Sequence, residues 1–262
     1  VIRSIIQAKA VIDDFKPDVV LGMGGFASGP GGVAAKLSGV PVVLHEQNAI
    51  PGLTNKLLSK IATKVLCAFA NTFASTVKNV EVVGNPIRQE LVSLGGVAKT
   101  VNEDALKVLV VGGSLGAKVL NETLPNTVAK LSHQHSVTVW HQVGKNNLDS
   151  VKAAYQHLNQ LDKVNVAEFI DDMEAAYRWA DVVVCRSGAL TVSELAAVGL
   201  PSILVPYPHA VDDHQTKNAL ALVNKSAALL VKDTEAKNNL FKEAIDLLNL
   251  KEIELKFPLM II

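Results

Sequence analysis

The chain has 262 residues, of which 49% are hydrophobic and 19% charged, a composition with enough apolar side chains for two α/β domains with sizeable cores. Its 25 basic residues balance 25 acidic ones, which argues against a general nucleic-acid binder because such a protein carries a basic excess. The sequence contains no run of 18 apolar residues, the length that would predict a membrane span. Its two cysteines, Cys67 and Cys185, lie far apart in apolar stretches, which predicts buried thiols rather than a disulfide or a zinc site.

The first part of the chain alternates helix and strand patterns. An amphipathic helix is predicted over residues 1–15, and the chain begins inside it without Met, so we expect a fragment lacking its natural N-terminus. A strand over 18–23 leads into a glycine-rich turn over 24–30, and Pro30 suits the first turn of the next helix. Strands over 40–44, 64–68 and 80–83 and a helix over 53–62 follow.

A loop-like stretch over 89–106 precedes a second series with the same pattern. Its strands are predicted over 107–111, 137–140, 164–169, 182–185, 202–206 and 227–231, with helices between them. Such alternation predicts parallel sheets with right-handed crossovers. We therefore expect two doubly wound α/β domains with a cleft between them: a partial N-terminal domain over 1–88, a linker over 89–106, a second domain over 107–236 and a tail of unassigned structure over 237–262.

The stretch 180–194 carries the clearest binding pattern. An apolar strand stops at Arg186, Ser187 and Gly188, and a helix follows. The free N–H groups at such a helix start form an anion site. Glu194 in that helix could accept two hydrogen bonds from a vicinal diol such as a ribose. The alternative is an ordinary strand–turn–helix with a surface glutamate.

The loop over 112–117 reads G-G-S-L-G-A and lacks the G-x-G-x-x-G spacing of dinucleotide sites. The next strand ends without the acidic residue that would bind a ribose, so NAD binding is disfavoured. The loop could instead bring backbone and the Ser114 hydroxyl close to a phosphate. The alternative is that its glycines serve tight packing only.

Two further polar segments follow strands, where open α/β sheets bind ligands. In the segment 45–48, Glu46 could be a general base or accept a sugar hydroxyl, and the alternative is a structural glutamate that closes a turn. The loop over 209–215 has metal-capable side chains but no i, i+4 histidine pair and no evident third ligand. We interpret it as a ligand contact in which Gln215 reaches a sugar.

Eight segments in order resemble the MurG family of bacterial N-acetylglucosaminyltransferases. They are G-G-F-A-S-G-P at 24–30, H-E-Q-N at 45–48, P-G-L-T-N-K at 51–56, G-N-P-I-R at 84–88, G-G-S-L-G-A at 112–117, F-I-D-D-M at 169–173, R-S-G-A-L-T-V-S-E at 186–194 and D-H-Q at 213–215. The resemblance implies the GT-B fold and inverting transfer of GlcNAc from UDP-GlcNAc to the muramyl 4-hydroxyl of lipid I, giving lipid II for peptidoglycan. It implies no metal and no cofactor.

The resemblance also implies roles for individual residues. Uracil and ribose would meet the backbone near Ile170 and along residues 189–194, with Glu194 on the ribose hydroxyls. Ser114 would touch the diphosphate, and Gln215 would hold the GlcNAc. The residues implied to contact the donor are Asn48, Arg88, Ser114, Ile170, Ala189, Leu190, Thr191, Val192, Ser193, Glu194 and Gln215. On the acceptor side the resemblance implies Glu46, as a catalytic residue, and Gly24, Gly25 and Gly29.

The family opens with a strand and a Gly-Gly-Thr-Gly-Gly-His loop, whose histidine is a candidate base, and these 262 residues contain no such loop. A non-catalytic sugar-nucleotide-binding protein therefore stays open, whereas a UDP-GlcNAc 2-epimerase is disfavoured by the segments at 45–48 and 51–55. The resemblance implies a peripheral protein on the cytoplasmic face of the bacterial inner membrane. A basic stripe of Lys56 and Lys60 on the helix over 53–62, with Lys64 just beyond it, is the predicted contact with anionic lipid. The alternative is a solvated lysine face.

Overall fold

A computed structural model of the chain describes residues 1–95 and 105–249, which divide into two compact units, Val1–Pro86 and a second that begins at Ile87. In the first unit the strands are β1 (Val20–Gly22), β2 (Val42–Glu46), β3 (Lys64–Cys67) and β4 (Val80–Val82). They form one parallel sheet in the order β1-β2-β3-β4. Its helices are α1 (Ile2–Phe15), α2 (Gly25–Leu37) and α3 (Leu53–Leu58).

The core of the first unit lies where these helices cover the sheet. Ile12 of α1 and Ala34 of α2 are buried against Val42 and Leu44 of β2. Successive turns of α1 contribute Ile5, Ala8 and Ile12 to this core, as expected for one face of an amphipathic helix. Gly32 allows α2 to approach α3 closely, because a Cβ there would lie 2.8 Å from a methyl carbon of Leu58.

The second unit contains six parallel strands in the order β10-β9-β8-β5-β6-β7. The strands are β5 (Leu106–Val111), β6 (Val137–Gln142), β7 (Val164–Ala167), β8 (Val182–Cys185), β9 (Ser202–Leu204) and β10 (Ala228–Leu230). The helices are α4 (Gln89–Val92), α5 (Lys118–Leu131), α6 (Leu148–His157), α7 (Met173–Trp179), α8 (Ala189–Val198), α9 (His214–Val223) and α10 (Ala236–Asn249).

The order of strands reverses between β5 and β8, which are hydrogen-bonded neighbours with Val111 opposite Cys185. All four residues of β8 are buried, as expected for a parallel strand covered on both faces. Open α/β sheets bind ligands beyond the carboxyl ends of strands at such a switch point. The loops after β5 and β8 therefore lie where a ligand site is expected.

Several predicted boundaries in the first unit were wrong. Helix α2 begins at Gly25, so the predicted turn over 24–30 is mostly helical and Pro30 lies inside the helix. Helix α3 ends at Leu58, four residues before its predicted end. Strand β2 continues to Glu46, because His45 and Glu46 pair with Leu66 and Cys67 of β3.

The predicted linker and tail lie partly outside the described residues. Within 89–106, the structure has helix α4 and the start of β5, and residues 96–104 are not described. Within 237–262, the described residues belong to α10, which packs on α5 and buries Leu240 in the core of the second unit. The apolar end of that tail falls outside the described part. No helix in the described part of the chain is long and apolar enough to cross a membrane.

Candidate functional site

Glu46 stands at the carboxyl end of β2 and is only 3% exposed. One carboxylate oxygen accepts hydrogen bonds from the backbone N–H of Asn48 at 3.0 Å and from its side-chain amide at 3.3 Å. The other accepts from the N–H of Gly52 at 3.0 Å and from the amide of Asn55 at 2.9 Å. A carboxylate with four donors is fully satisfied. This geometry supports the structural interpretation of Glu46, and its role as a base stays a prediction.

The neighbouring side chains form one hydrogen-bonded network with the end of β4. The Nε2 of His45 lies 2.9 Å from the carbonyl oxygen of Gly84, and its Nδ1 lies 3.2 Å from the amide nitrogen of Gln47. Since a carbonyl only accepts, Nε2 carries the proton and Nδ1 accepts from the glutamine. The amide of Asn85 donates to the carbonyl of Gln47 at 3.0 Å. These contacts hold the segment that carries Asn48.

The predicted acceptor-side glycines lie at the start of α2. Gly24 has a φ of 83°, and a Cβ on it would lie 3.3 Å from the amide nitrogen of Asn55, so the loop packs closely on the Glu46 network. Gly25 is the first residue of α2, and Gly29 lies within it. The free N–H groups at this helix start are compatible with the predicted anion contact.

In the second unit, the loop after β5 packs tightly against the loop after β6. A Cβ on Gly116, which has a φ of 78°, would lie 2.1 Å from the carbonyl oxygen of Val143. The packing interpretation of these glycines thus has direct support. Ser114 is exposed, and its carbonyl accepts from the N–H of Lys145 at 3.1 Å. Its hydroxyl stays the predicted contact to a diphosphate.

Helix α8 follows β8, the strand that pairs with β5, from which that loop continues. Val192 and Ser193 are buried, so their side chains face the protein interior and only their backbone could be reached by a ligand. Leu190 is exposed, whereas Ala189 and Thr191 are partly buried. The ligand contacts predicted for this segment therefore depend on backbone N–H groups at the helix start and on Glu194.

Glu194 is partly buried, with 21% of its side chain exposed. One carboxylate oxygen accepts the hydroxyl of Tyr177 at 2.9 Å, and the other lies 3.8 Å from a guanidinium nitrogen of Arg88. Burial and, after it, the charge of Glu194 raise the pKa of the Tyr177 phenol well above its ordinary value, and they raise the pKa of the Cys185 thiol to about 12. Two of the predicted residues, Arg88 and Glu194, are thus brought together.

The predicted uracil contact at Ile170 is constrained by a neighbour. The N–H of Ile170 donates to the side-chain oxygen of Gln142, at the end of β6, at 3.1 Å. Both residues are buried. A uracil that accepted a hydrogen bond from this N–H would have to replace the side-chain oxygen of Gln142. Without a ligand, this hydrogen bond holds the loop at Ile170 in place.

Gln215 lies in the first turn of α9 and is oriented by the backbone. Its side-chain oxygen accepts the N–H of Tyr207 at 2.9 Å, so a sugar hydroxyl would meet the NH₂ side of the amide. The preceding residues Asp212 and Asp213 both have a φ of 53°, in the left-handed region. In the described part of the chain, no group of three His, Cys, Asp or Glu side chains could hold a metal ion.

Sequence reasoning missed Tyr177 and Arg186. Arg186 donates to the carbonyls of Val205 and Pro206 at 3.1 and 3.0 Å and forms a 2.6 Å ion pair with Asp233. It therefore ties the turn after β8 to the segments after β9 and β10. The position of Arg186 in the R-S-G turn could have indicated its role. Nothing in the sequence indicated the role of Tyr177, because its hydroxyl bonds a residue 17 positions away.

The predicted basic stripe does not exist as one helix face. Lys56 and Lys60 are exposed, but Lys60 follows the end of α3. Lys64 is the first residue of β3 and pairs with Glu81 at 2.5 Å. A surface with Lys56 and Lys60 and the exposed side chains of Leu53 and Leu57 remains.

The chain is similar to enzymes of cell-wall synthesis. It is 80% identical over 234 residues to the UDP-N-acetylglucosamine–N-acetylmuramyl-(pentapeptide) pyrophosphoryl-undecaprenol N-acetylglucosamine transferase of Shewanella frigidimarina, covering 89% of this chain and 64% of that protein. It is 74% identical over 231 residues to the protein of the same name in Shewanella oneidensis, covering 88% and 63%. The chain thus spans less than two thirds of the length of these relatives.

Solved structures of related proteins have the same fold as this chain. The crystal structure of Acinetobacter baumannii MurG matches with a TM-score of 0.81 at 38% identity, covering 97% of this chain and 72% of that one. The parallel-sheet α/β architecture is that of the GT-B fold. The UDP-GlcNAc 2-epimerase of Neisseria meningitidis, bound to UDP-GlcNAc, matches with a TM-score of 0.66 at 15% identity over 99% and 75% of the two chains, which shows a shared fold alone.

Family assignment follows from both units. Residues 1–67 match the glycosyltransferase family 28 N-terminal domain, and residues 107–257 match the glycosyltransferase family 28 C-terminal domain. The second match alone covers more than half of the 262 residues. The chain belongs to glycosyltransferase family 28.

Proposed function

We propose that this chain is part of an inverting transferase that moves GlcNAc from UDP-GlcNAc to the muramyl 4-hydroxyl of lipid I, giving lipid II for peptidoglycan. The 80% identity to the S. frigidimarina transferase supports the activity, since that protein's name specifies an N-acetylglucosamine transfer to a muramyl-pentapeptide lipid. In the molecule itself, the proposal depends most on Glu194, a carboxylate held at the switch point of the six-stranded sheet.

The donor would occupy the carboxyl ends of β5 and β8. The ribose hydroxyls would donate to Glu194, the diphosphate would lie near Ser114 and the first turn of α8, and Gln215 would contact the sugar. Helix N-termini and Arg88 would stabilise the charge that develops on departing UDP. Displacement at the anomeric carbon in one step would invert its configuration.

The acceptor would lie against the first unit, with its pyrophosphate at the start of α2 and Asn48 near the transferred sugar. Because lipid I is anchored in a bilayer, the protein would bind peripherally to the cytoplasmic face of the inner membrane. The exposed Leu53 and Leu57 next to Lys56 and Lys60 support such a contact, since apolar side chains flanked by lysines suit an anionic interface.

Calorimetry of UDP binding tests the donor site. Glu194→Ala removes the acceptor for the ribose hydroxyls, so we expect UDP to bind more weakly by about 1–3 kcal/mol. Glu174→Ala is the matched control, because Glu174 lies in the same unit but pairs with Arg178 on the surface of α7. Equal UDP affinity of the wild-type and Glu194→Ala proteins would remove the ribose assignment.

A non-catalytic sugar-nucleotide-binding protein is the second candidate, because Glu46, the candidate base, already accepts four hydrogen bonds from the protein. A transfer assay with UDP-GlcNAc and a lipid I analogue separates the two candidates. Donor binding without turnover by the longest natural form of the protein would favour the binding protein, and turnover would establish the transferase.

A further inference from the structure

Tyr177 is a buried residue that the proposed donor site leaves unassigned. It lies on α7, is 1% exposed, and donates its hydroxyl to Glu194 at 2.9 Å. Its raised pKa keeps the phenol protonated, so it is the donor and the carboxylate is the acceptor. A hydrogen bond from a buried tyrosine fixes the rotation of a carboxylate that would otherwise be free to turn toward solvent.

The second oxygen of Glu194 is held less tightly. Its 3.8 Å distance to Arg88 is that of an ion pair beyond hydrogen-bond length, so this oxygen keeps lone pairs for a ligand. Arg88 is placed by the short helix α4, which follows it and packs on α8 through the buried Leu91. The carboxylate thus has one oxygen bonded to the buried Tyr177 and one that faces the exposed guanidinium of Arg88.

Helix α7 is itself held at both ends. Its N-cap Asp172 accepts the N–H of Ala175 at 2.8 Å, and near its C-terminus Trp179 packs edge-on against Trp140 with ring centroids 5.9 Å apart. The segment just before the cap contains Ile170, the residue predicted to meet the uracil. One anchored segment therefore carries both the base contact and the hydroxyl that orients Glu194.

We propose that Tyr177 is a positioning residue for nucleotide recognition: its hydroxyl orients the carboxylate of Glu194 toward the ribose diol and couples ribose recognition to the base-binding loop through α7. This inference rests on the proposed function, because it assumes that Glu194 binds the ribose. It adds a residue that acts through Glu194 without touching the ligand.

The test compares UDP with 2′,3′-dideoxy-UDP, which lacks both ribose hydroxyls, by calorimetry of the full chain. We expect Tyr177→Phe to weaken UDP binding about fivefold and to leave the binding of the dideoxy ligand unchanged. Tyr155→Phe is the matched control, since Tyr155 is equally buried in the same unit and bonds His141 at 3.1 Å. We expect it to lower stability without changing the ratio of the two affinities.

A double-mutant cycle identifies the route of the effect. In the Glu194→Ala background, Tyr177→Phe should leave UDP affinity unchanged, because the group through which it acts is gone. An equal loss of affinity for both ligands, or a loss that persists in the Glu194→Ala background, would overturn the positioning role. If the wild type binds both ligands equally, the ribose assignment fails and the inference fails with it.

The wild-type protein gives an independent measurement should Tyr177→Phe not fold. The chain has three tyrosines, so ¹³Cζ-tyrosine NMR gives three signals, which Tyr155→Phe and Tyr207→Phe assign by elimination. UDP should shift the Tyr177 signal and dideoxy-UDP should shift it far less, because only UDP draws on the carboxylate. A Tyr177 signal that responds equally to both ligands would contradict the proposal.

Discussion

Substitution of Glu46 separates a structural role from a catalytic one. In Glu46→Gln, the remaining oxygen can keep the donors of Gly52 and Asn55, but the new NH₂ group then faces the N–H and the amide of Asn48, which are donors too. Two hydrogen bonds to a charge are lost and partly buried donors face each other. We expect the free energy of unfolding to fall by about 2–4 kcal/mol, a large fraction of the stability of a domain.

Urea unfolding followed by far-UV circular dichroism gives the free-energy change. Hydrogen exchange localises it: amides of Asn48 and Gly52 should lose protection, while peptides from β8 and α8 in the second unit serve as an internal control. Asn48→Ala is a milder comparison that removes one donor and keeps the carboxylate. A Glu46→Gln protein with wild-type unfolding and exchange would refute the structural reasoning and favour the base.

Three other predictions concern pH, packing and membrane contact. Burial lowers the pKa of His141 from 6.5 to about 3, so between these pH values the unfolded chain binds a proton that the folded chain does not. The free energy of unfolding should therefore fall by up to about 1.4 kcal/mol for each pH unit below 6.5, and His141→Gln should reduce this pH dependence in urea titrations. Gly116→Ala places a Cβ 2.1 Å from a carbonyl oxygen and should lower the melting temperature far more than Gly113→Ala, where φ is also positive but the space is open. Changing Lys56 and Lys60 to Glu should abolish co-sedimentation with anionic vesicles at low salt, and undiminished binding would exclude this surface.

The strands and the polar segments that follow them could be predicted from the sequence, whereas binding of the donor by these segments stays a prediction. Short uninterrupted apolar runs such as 182–185 are typical of strands buried on both faces and are too short for a helix. Small polar residues follow them directly. Because parallel strands carry ligand sites at their carboxyl ends, the segments at 112–117 and 186–194 were recognisable before their neighbours were known. That β5 and β8 lie side by side, which brings the two segments together, appears only in the sheet order.

Local pattern misjudged the first unit for a physical reason. Glycine and proline at 24–30 favour a turn, yet α2 begins at Gly25, and the glycine at 32 lets that helix pack closely on Leu58 of α3. The lysine spacing at 56, 60 and 64 fits a helix, but pairing of β3 with β2 takes Lys64 into the sheet. Hydrogen bonds between strands, which no local window contains, outweigh the propensity of a short helix.

Which residue types follow the strands, and so the chemistry available there, can be read along the chain: glutamates, an arginine, a serine and helix N-termini. How those groups are held depends on the packing of distant segments. The carboxylate of Glu46 accepts hydrogen bonds from donors up to nine residues away, and that of Glu194 accepts one from Tyr177, 17 residues earlier. Hydrogen bonds fall off within a few tenths of an ångström, so such pairings depend on how helices pack rather than on spacing along the chain.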